Sequence, residues 1–195
     1  MLIGITGQIG TGKTEVARVF ERHGAYLISA DQIGREVVEG SPRVLKHLAD
    51  VFGPDILTPG GKLRRRRLGE IAFSSNKSKL ILNNIVHPLL LKDLERRVKR
   101  ARRYYDLIVI DAALLIDWGW HRKVDLSILV HAGKEIKIRR LINKGYSRHE
   151  AVMRIKAQLS FRLLRDKVDI VLMNNRDLAS LERRVLFLIR QISTK

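Results

Sequence analysis

Gly7-Gln8-Ile9-Gly10-Thr11-Gly12-Lys13-Thr14 follows an apolar run, Leu2, Ile3 and Ile5, and precedes a helical pattern in which Val16, Ala17, Val19 and Phe20 are apolar. Strand, glycine-rich turn and helix in that order is the context a phosphate-binding loop requires. The glycines let backbone N–H groups close around phosphates, Lys13 can reach the outer phosphates, and the Thr14 hydroxyl can ligate Mg²⁺.

The 195 residues are enough for one well-buried α/β unit with insertions. Thirty-eight Lys and Arg against 20 Asp and Glu give a net charge of +18, which favours polyanionic ligands or partners: nucleotides, nucleic acid or acidic membrane surfaces. Cysteine is absent, so disulfides, thiol chemistry and a Cys-based zinc site have no basis. No signal-like succession opens the chain, and Asp111 interrupts its most apolar stretch, Leu107 to Ile116, well short of a membrane span. A soluble, cytoplasmic protein without membrane association is expected.

Downstream of the loop helix, Ala25 to Ser29 reads as a short buried strand leading to Asp31, at the ligand-facing edge of a parallel sheet. Asp31 is either a carboxylate near the phosphates or the N-cap of a helix over Gln32 to Val38. Arg35, one turn on, either touches an anionic substrate or is solvated. A Pro-started helix spans Ser41 to Phe52, and Gly53, Pro54, Pro59, Gly60 and Gly61 mark a loop before the run Arg64-Arg65-Arg66-Arg67. Helical spacing continues to His87-Pro88, and a further helix with a basic outer face covers Leu89 to Ala101. The arginines read as a solvated face or a binding surface, and His87 as a cap or a ligand contact.

Asp106 to Asp111 is a strong strand, and Asp111 ends it where a nucleotide-binding fold often places a carboxylate for Mg²⁺; capping the following turn is the alternative. Val124 to Val130 is the next strand. A helix over Lys134 to Asn143 carries Arg139 and Arg140, and a second from His149 to about Leu164 completes a basic hairpin with the composition of a lid. Asp169 to Met173 is the last strand, Asn174-Asn175 the loop after it, and Leu178 to Ile192 the terminal helix. Five strands separated by helices imply a parallel sheet with helices on both faces, because parallel neighbours require crossovers.

Six segments in this order resemble the dephospho-coenzyme A kinase family over essentially the whole chain: GQIGTGKT; ADQIGREV around Asp31; GKLRRRRL followed by Phe73; VHPLL at His87; IVIDAALL at Asp111; and RIKAQ with Arg165, Asp169 and Asn174. The resemblance implies an α/β fold of the P-loop nucleoside triphosphate hydrolase type, a five-stranded parallel sheet flanked by helices with a helical acceptor-binding insertion and a helical lid. On that plan residues 1–195 form a single P-loop kinase domain, the insertion covers about 61–103 and the lid about 139–168. It further implies transfer of the ATP γ-phosphate to the ribose 3′-hydroxyl of dephospho-CoA, with Mg²⁺ held at Thr14 and Asp111. Gly10, Thr11, Gly12, Lys13 and Thr14 would bind the ATP phosphates and Asn174 would lie near the adenine. Asp31 would be the base, and Arg35, Arg65 and His87 would line the acceptor site; the catalytic cations would be Lys13 and a lid cation, a duty open to Arg139, Arg140 or Lys144. The chain departs from the family pattern at Ser29, where a first aspartate is usual, and at Asn143, often an arginine.

Two other readings compete. A nucleoside monophosphate kinase is the neighbour within the same class, and a basic RNA-binding P-loop nucleoside triphosphatase is motivated by the charge of residues 64–103. Tyr104 and Tyr105 are adjacent rather than spaced as a stacking platform, so no specific nucleic-acid partner is expected.

Overall fold

A computed structural model describes residues 1–72 and 74–193; Phe73, which closes one of the quoted segments, lies outside the described residues. In chain order the elements are β1 (Leu2–Thr6), α1 (Lys13–Arg22), β2 (Tyr26–Ser29), α2 (Ala30–Glu39), α3 (Pro42–Phe52), α4 (Arg65–Ala72), α5 (Asn76–Ala101), β3 (Ile108–Asp111), β4 (Leu126–His131), α6 (Lys134–Ile142), α7 (Arg148–Lys156), α8 (Phe161–Arg165), β5 (Ile170–Met173) and α9 (Leu178–Ser193). They fall into two compact units, one made of Met1–Ser29 and the chain from Ala101 onward, the other of Ala30–Arg100.

The first unit holds the sheet. All pairings are parallel and the strand order is β2-β3-β1-β4-β5, so β1 is central. Its residues are buried throughout, as a strand covered on both faces must be. Ile3, Ile5, Ile128, Val130 and Leu172 pack on one face against Val16, Val19 and Phe20 of α1 and Leu181 and Val185 of α9. Leu129 and Val171, alternate residues of β4 and β5, pack on the other face with Leu164 and Phe161 of α8. A side-chain clasp fixes the β4–β5 edge: Asp169 Oδ2 accepts from Ser127 N at 2.8 Å and Ser127 Oγ at 2.6 Å. α6 and α7 form a hairpin around Ile138, Leu141, Ala151 and Ile155, with Ile9 of the phosphate loop packed against it.

The single helix expected from His149 to about Leu164 is two helices. α7 stops at Lys156 and Ser160 caps α8, accepting from Leu163 N at 3.4 Å. The break has a tertiary cause. Gln158 and Leu159 turn toward the phosphate loop and bond to it, which a continuous helix would prevent.

The second unit is helical. Val38, Leu48, Phe52, Ile56, Leu68 and Ala72 form its core. Ser41 caps α3 with Pro42 at its first turn. The expected helix boundary at His87-Pro88 is absent, because α5 runs unbroken from Asn76 to Ala101 with Pro88 inside it. Proline removes one backbone bond, but packing holds both halves: Ile81, Leu82 and Ile85 lie against the helical core, and Leu90, Leu94 and Val98 are buried. Three arginines of the run are paired at the surface. Arg65 bonds Glu39, Arg66 bonds Glu70 at 3.0 Å, and Arg67 bonds Asp55 at 2.6 Å. No helix among the described residues is long and apolar enough to cross a membrane.

Candidate active site

β1 delivers the phosphate loop to the carboxyl edge of the sheet, and α1 begins at Lys13 directly behind it. Gly10 (φ 80°) and Gly12 (φ 89°) occupy the left-handed region. At Gly12 a Cβ would lie 2.3 Å from Asn174 Nδ2, so the amide that bonds Thr11 O would have to shift.

Lys13 and Thr14 converge on Asp111. The Lys13 ammonium pairs with Oδ1, and Thr14 Oγ1 donates to Oδ2 at 3.0 Å. β3 sits beside β1 with Ile5 opposite Asp111, which places this carboxylate at the loop; it is 4% exposed. Asp111 therefore acts on the loop rather than as a simple cap of the next turn. A hydroxyl and one carboxylate match what Mg²⁺ takes from a protein, with water and phosphate oxygens completing its shell, so the donor set fits that ion.

The loop's far side is braced. Arg140 donates to the carbonyls of Gly10 at 3.3 Å, Thr11 at 3.2 Å, Asn174 at 3.1 Å and Arg176 at 3.5 Å, and to Asn174 Oδ1 at 3.3 Å. Burial, then the charge of Arg139, pulls the Arg140 pKa down. Asn174, 5% exposed, donates from Nδ2 to Thr11 O at 2.8 Å, so its amide holds the loop. Arg139 is exposed and makes no hydrogen bond or ion pair among the described residues.

Several contacts escape sequence reasoning. Gln8 donates from Nε2 to Leu159 O at 2.7 Å and accepts from Lys137 Nζ; Ile9 N donates to Gln158 Oε1 at 2.8 Å. Gln8 stands where the motif tolerates any residue, so nothing marks it. Lys137 leaves one faint signal, its place on the helical face of Ile138 and Leu141.

In the helical unit, Asp31 is the second residue of α2, inside the first turn rather than before it, and its exposed carboxylate has no hydrogen-bond or ion-pair partner among the described residues. Arg35 is exposed one turn on. The Arg65 hydrogen bond is the main cause holding Glu39 below its ordinary pKa, with Arg35 adding to it. His87 is half-buried within α5.

A left-handed glycine loop at the end of the central strand of a β2-β3-β1-β4-β5 sheet, with lysine and threonine on one buried carboxylate, defines a protein of the P-loop nucleoside triphosphate-binding class. The family model for dephospho-CoA kinase matches residues 1–180, and the chain belongs to that family. A Corynebacterium glutamicum dephospho-CoA kinase is 36% identical over 195 residues, covering 99% of this chain and 98% of that protein. Among solved structures, TT1252 from Thermus thermophilus is 30% identical with a TM-score of 0.81, covering 98% of this chain and 97% of that one. The dephospho-CoA kinase from Campylobacter jejuni, at 22% identity, shares the fold with a TM-score of 0.69 over 100% of this chain and 98% of its own.

Proposed function

We propose that this chain transfers the γ-phosphoryl group of ATP to the ribose 3′-hydroxyl of dephospho-CoA, giving coenzyme A and ADP. One observation carries the reading: Lys13 and Thr14 meet on buried Asp111 in a chain that aligns with dephospho-CoA kinases over nearly its whole length.

Phosphoryl transfer asks a protein mainly for positioning and for charge around the transferring group. The amides of Gly10 through Thr14 cradle the β- and γ-phosphates, and the Lys13 ammonium leaves Asp111 to lie against them. Thr14 Oγ1 and Asp111 are the residues that would hold Mg²⁺, which neutralises charge on the β- and γ-oxygens when bound. Asp31 orients the attacking hydroxyl and takes its proton; a carboxylate with no partner among the described residues is available for that. Arg35, Arg65 and His87 serve the acceptor. Arg139 is the lid cation for the transferring phosphoryl group, because Arg140 is occupied by loop carbonyls. Asn174 serves ATP by fixing the loop backbone. A cytoplasmic setting agrees with these substrates.

The test is an acceptor panel. The protein is incubated with ATP, Mg²⁺ and dephospho-CoA beside AMP, CMP and RNA, and the phosphorylated product is identified by mass. Coenzyme A as the main product is expected. Preferential labelling of AMP, CMP or RNA would replace this function with one of its competitors.

A further inference from the structure

Lys137 is 4% exposed and lies on the buried face of α6 with Ile138 and Leu141. Its ammonium donates to Gln8 Oε1, and no carboxylate among the described residues pairs with it. A neutral amide oxygen satisfies one of the three donors and none of the charge. Such a charge opposes folding unless something compensates it. Burial lowers the Lys137 pKa, and the same ammonium adds to the effect of burial in lowering that of His131.

The position of this charge is specific. The α6 backbone at Lys137 abuts the phosphate loop, since a Cβ on Gly10 would fall 3.0 Å from Lys137 O and 3.2 Å from its Cα. Gln8 is held from both ends, its Nε2 donating to Leu159 O and its Oε1 accepting from Lys137 Nζ. A cation with no carboxylate partner among the described residues is thus held by the Gln8 side chain of a loop whose amides gather phosphates.

We propose that Lys137 is a positioning residue of the nucleotide site: it orients the Gln8 side chain within the loop, and its buried charge is balanced by the phosphates of the bound nucleotide. This rests on the ATP-binding reading above. The polyphosphate supplies the missing counter-charge, so Lys137 strengthens binding in proportion to ligand charge and leaves the nucleoside portion unaffected. Part of its folding penalty is then recovered only when nucleotide is bound.

The intact parent protein, Lys137→Met and Lys137→Gln are titrated calorimetrically with a nonhydrolysable ATP analogue and with adenosine, and each is melted without ligand. Analogue affinity should fall about tenfold in both variants, a charge effect of ordinary size for a partly screened site, while adenosine affinity stays the same. Lys137→Met should melt at or above the parent temperature, because an apolar chain of similar length replaces an uncompensated buried charge. Equal loss for adenosine and the analogue, or a lower melting temperature with unchanged analogue affinity, would make Lys137 a packing residue. Parent-like analogue affinity in Lys137→Gln would leave the hydrogen bond to Gln8 as its whole contribution and overturn the charge argument. A parent protein that fails to bind the analogue would instead remove the ATP-binding reading itself.

Discussion

Asp111→Asn separates the two states of Lys13 that the mechanism requires. In the structure the Lys13 ammonium pairs with Asp111 Oδ1, the two side chains being 11% and 5% exposed. Asparagine keeps the shape and can still accept from Thr14 Oγ1, so the change removes mainly the charge opposite Lys13. Breaking a fully buried pair costs about 3–5 kcal/mol. The residual exposure of Lys13 lets its ammonium reach water, which brings the expectation to about 2–3 kcal/mol. For a chain of this length that lowers Tm by roughly 4–12 °C. Adding a nonhydrolysable ATP analogue without Mg²⁺ changes the comparison, because Lys13 then has phosphate as its partner in both proteins. The Tm gap between parent and variant should therefore narrow as analogue approaches saturation. Scanning calorimetry across an analogue series measures this directly. A gap that is constant or widens with analogue would show that Lys13 does not transfer from Asp111 to phosphate, and no loss in the free protein would show that the pair contributes nothing. With Mg²⁺ and acceptor present, kcat should fall at least about 100-fold, as expected when electrostatic stabilisation of the transferring group is weakened.

Asp31→Asn should lower kcat by about 10²- to 10⁴-fold with KM for ATP and Tm near parental values; near-parental kcat would remove Asp31 from the reaction. Arg65→Ala should raise KM for dephospho-CoA more than KM for ATP, with at most about 1 kcal/mol of lost stability because its bond to Glu39 is solvent-exposed. Equal effects on the two substrates would place Arg65 outside the acceptor site. Ser127 hydrogen bonds hold the Asp169 pKa below its ordinary value. Their contribution is complete above about pH 4, the unfolded carboxylate range, and is lost as pH falls through the depressed folded value. Ser127→Ala should cost about 1 kcal/mol at pH 7, the scale of an exposed hydrogen-bonded carboxylate, and less near pH 2. Urea denaturation at both values checks this, and a pH-independent difference would refute the clasp.

The alternation of apolar runs and helical patterns was sufficient to expect five parallel strands, because strand and helix periodicities are local and a strand–loop–helix succession admits few topologies. The phosphate loop was equally legible: its glycines, Lys13 and Thr14 are contiguous and their geometry follows from short-range backbone freedom. Where local rules stood alone they erred, at Pro88, which helix packing overrides, and at Gln158 to Ser160, where bonds to the phosphate loop interrupt a helical pattern. Strand order is not written in periodicity. Only the assembled sheet sets Asp111 opposite Ile5 and so under Lys13, 98 positions away in sequence. The same holds for Arg140 gathering loop carbonyls, Asn174 bonding Thr11 and Lys137 donating to Gln8. Each joins residues more than 120 positions apart, or 34 for Arg140 and Asn174, and on its own helix or loop each looks like an ordinary polar surface group. Tertiary packing decides their roles because burial and hydrogen-bond partners belong to pairs of elements, whereas the sequence pattern carries only the conformation of one element at a time.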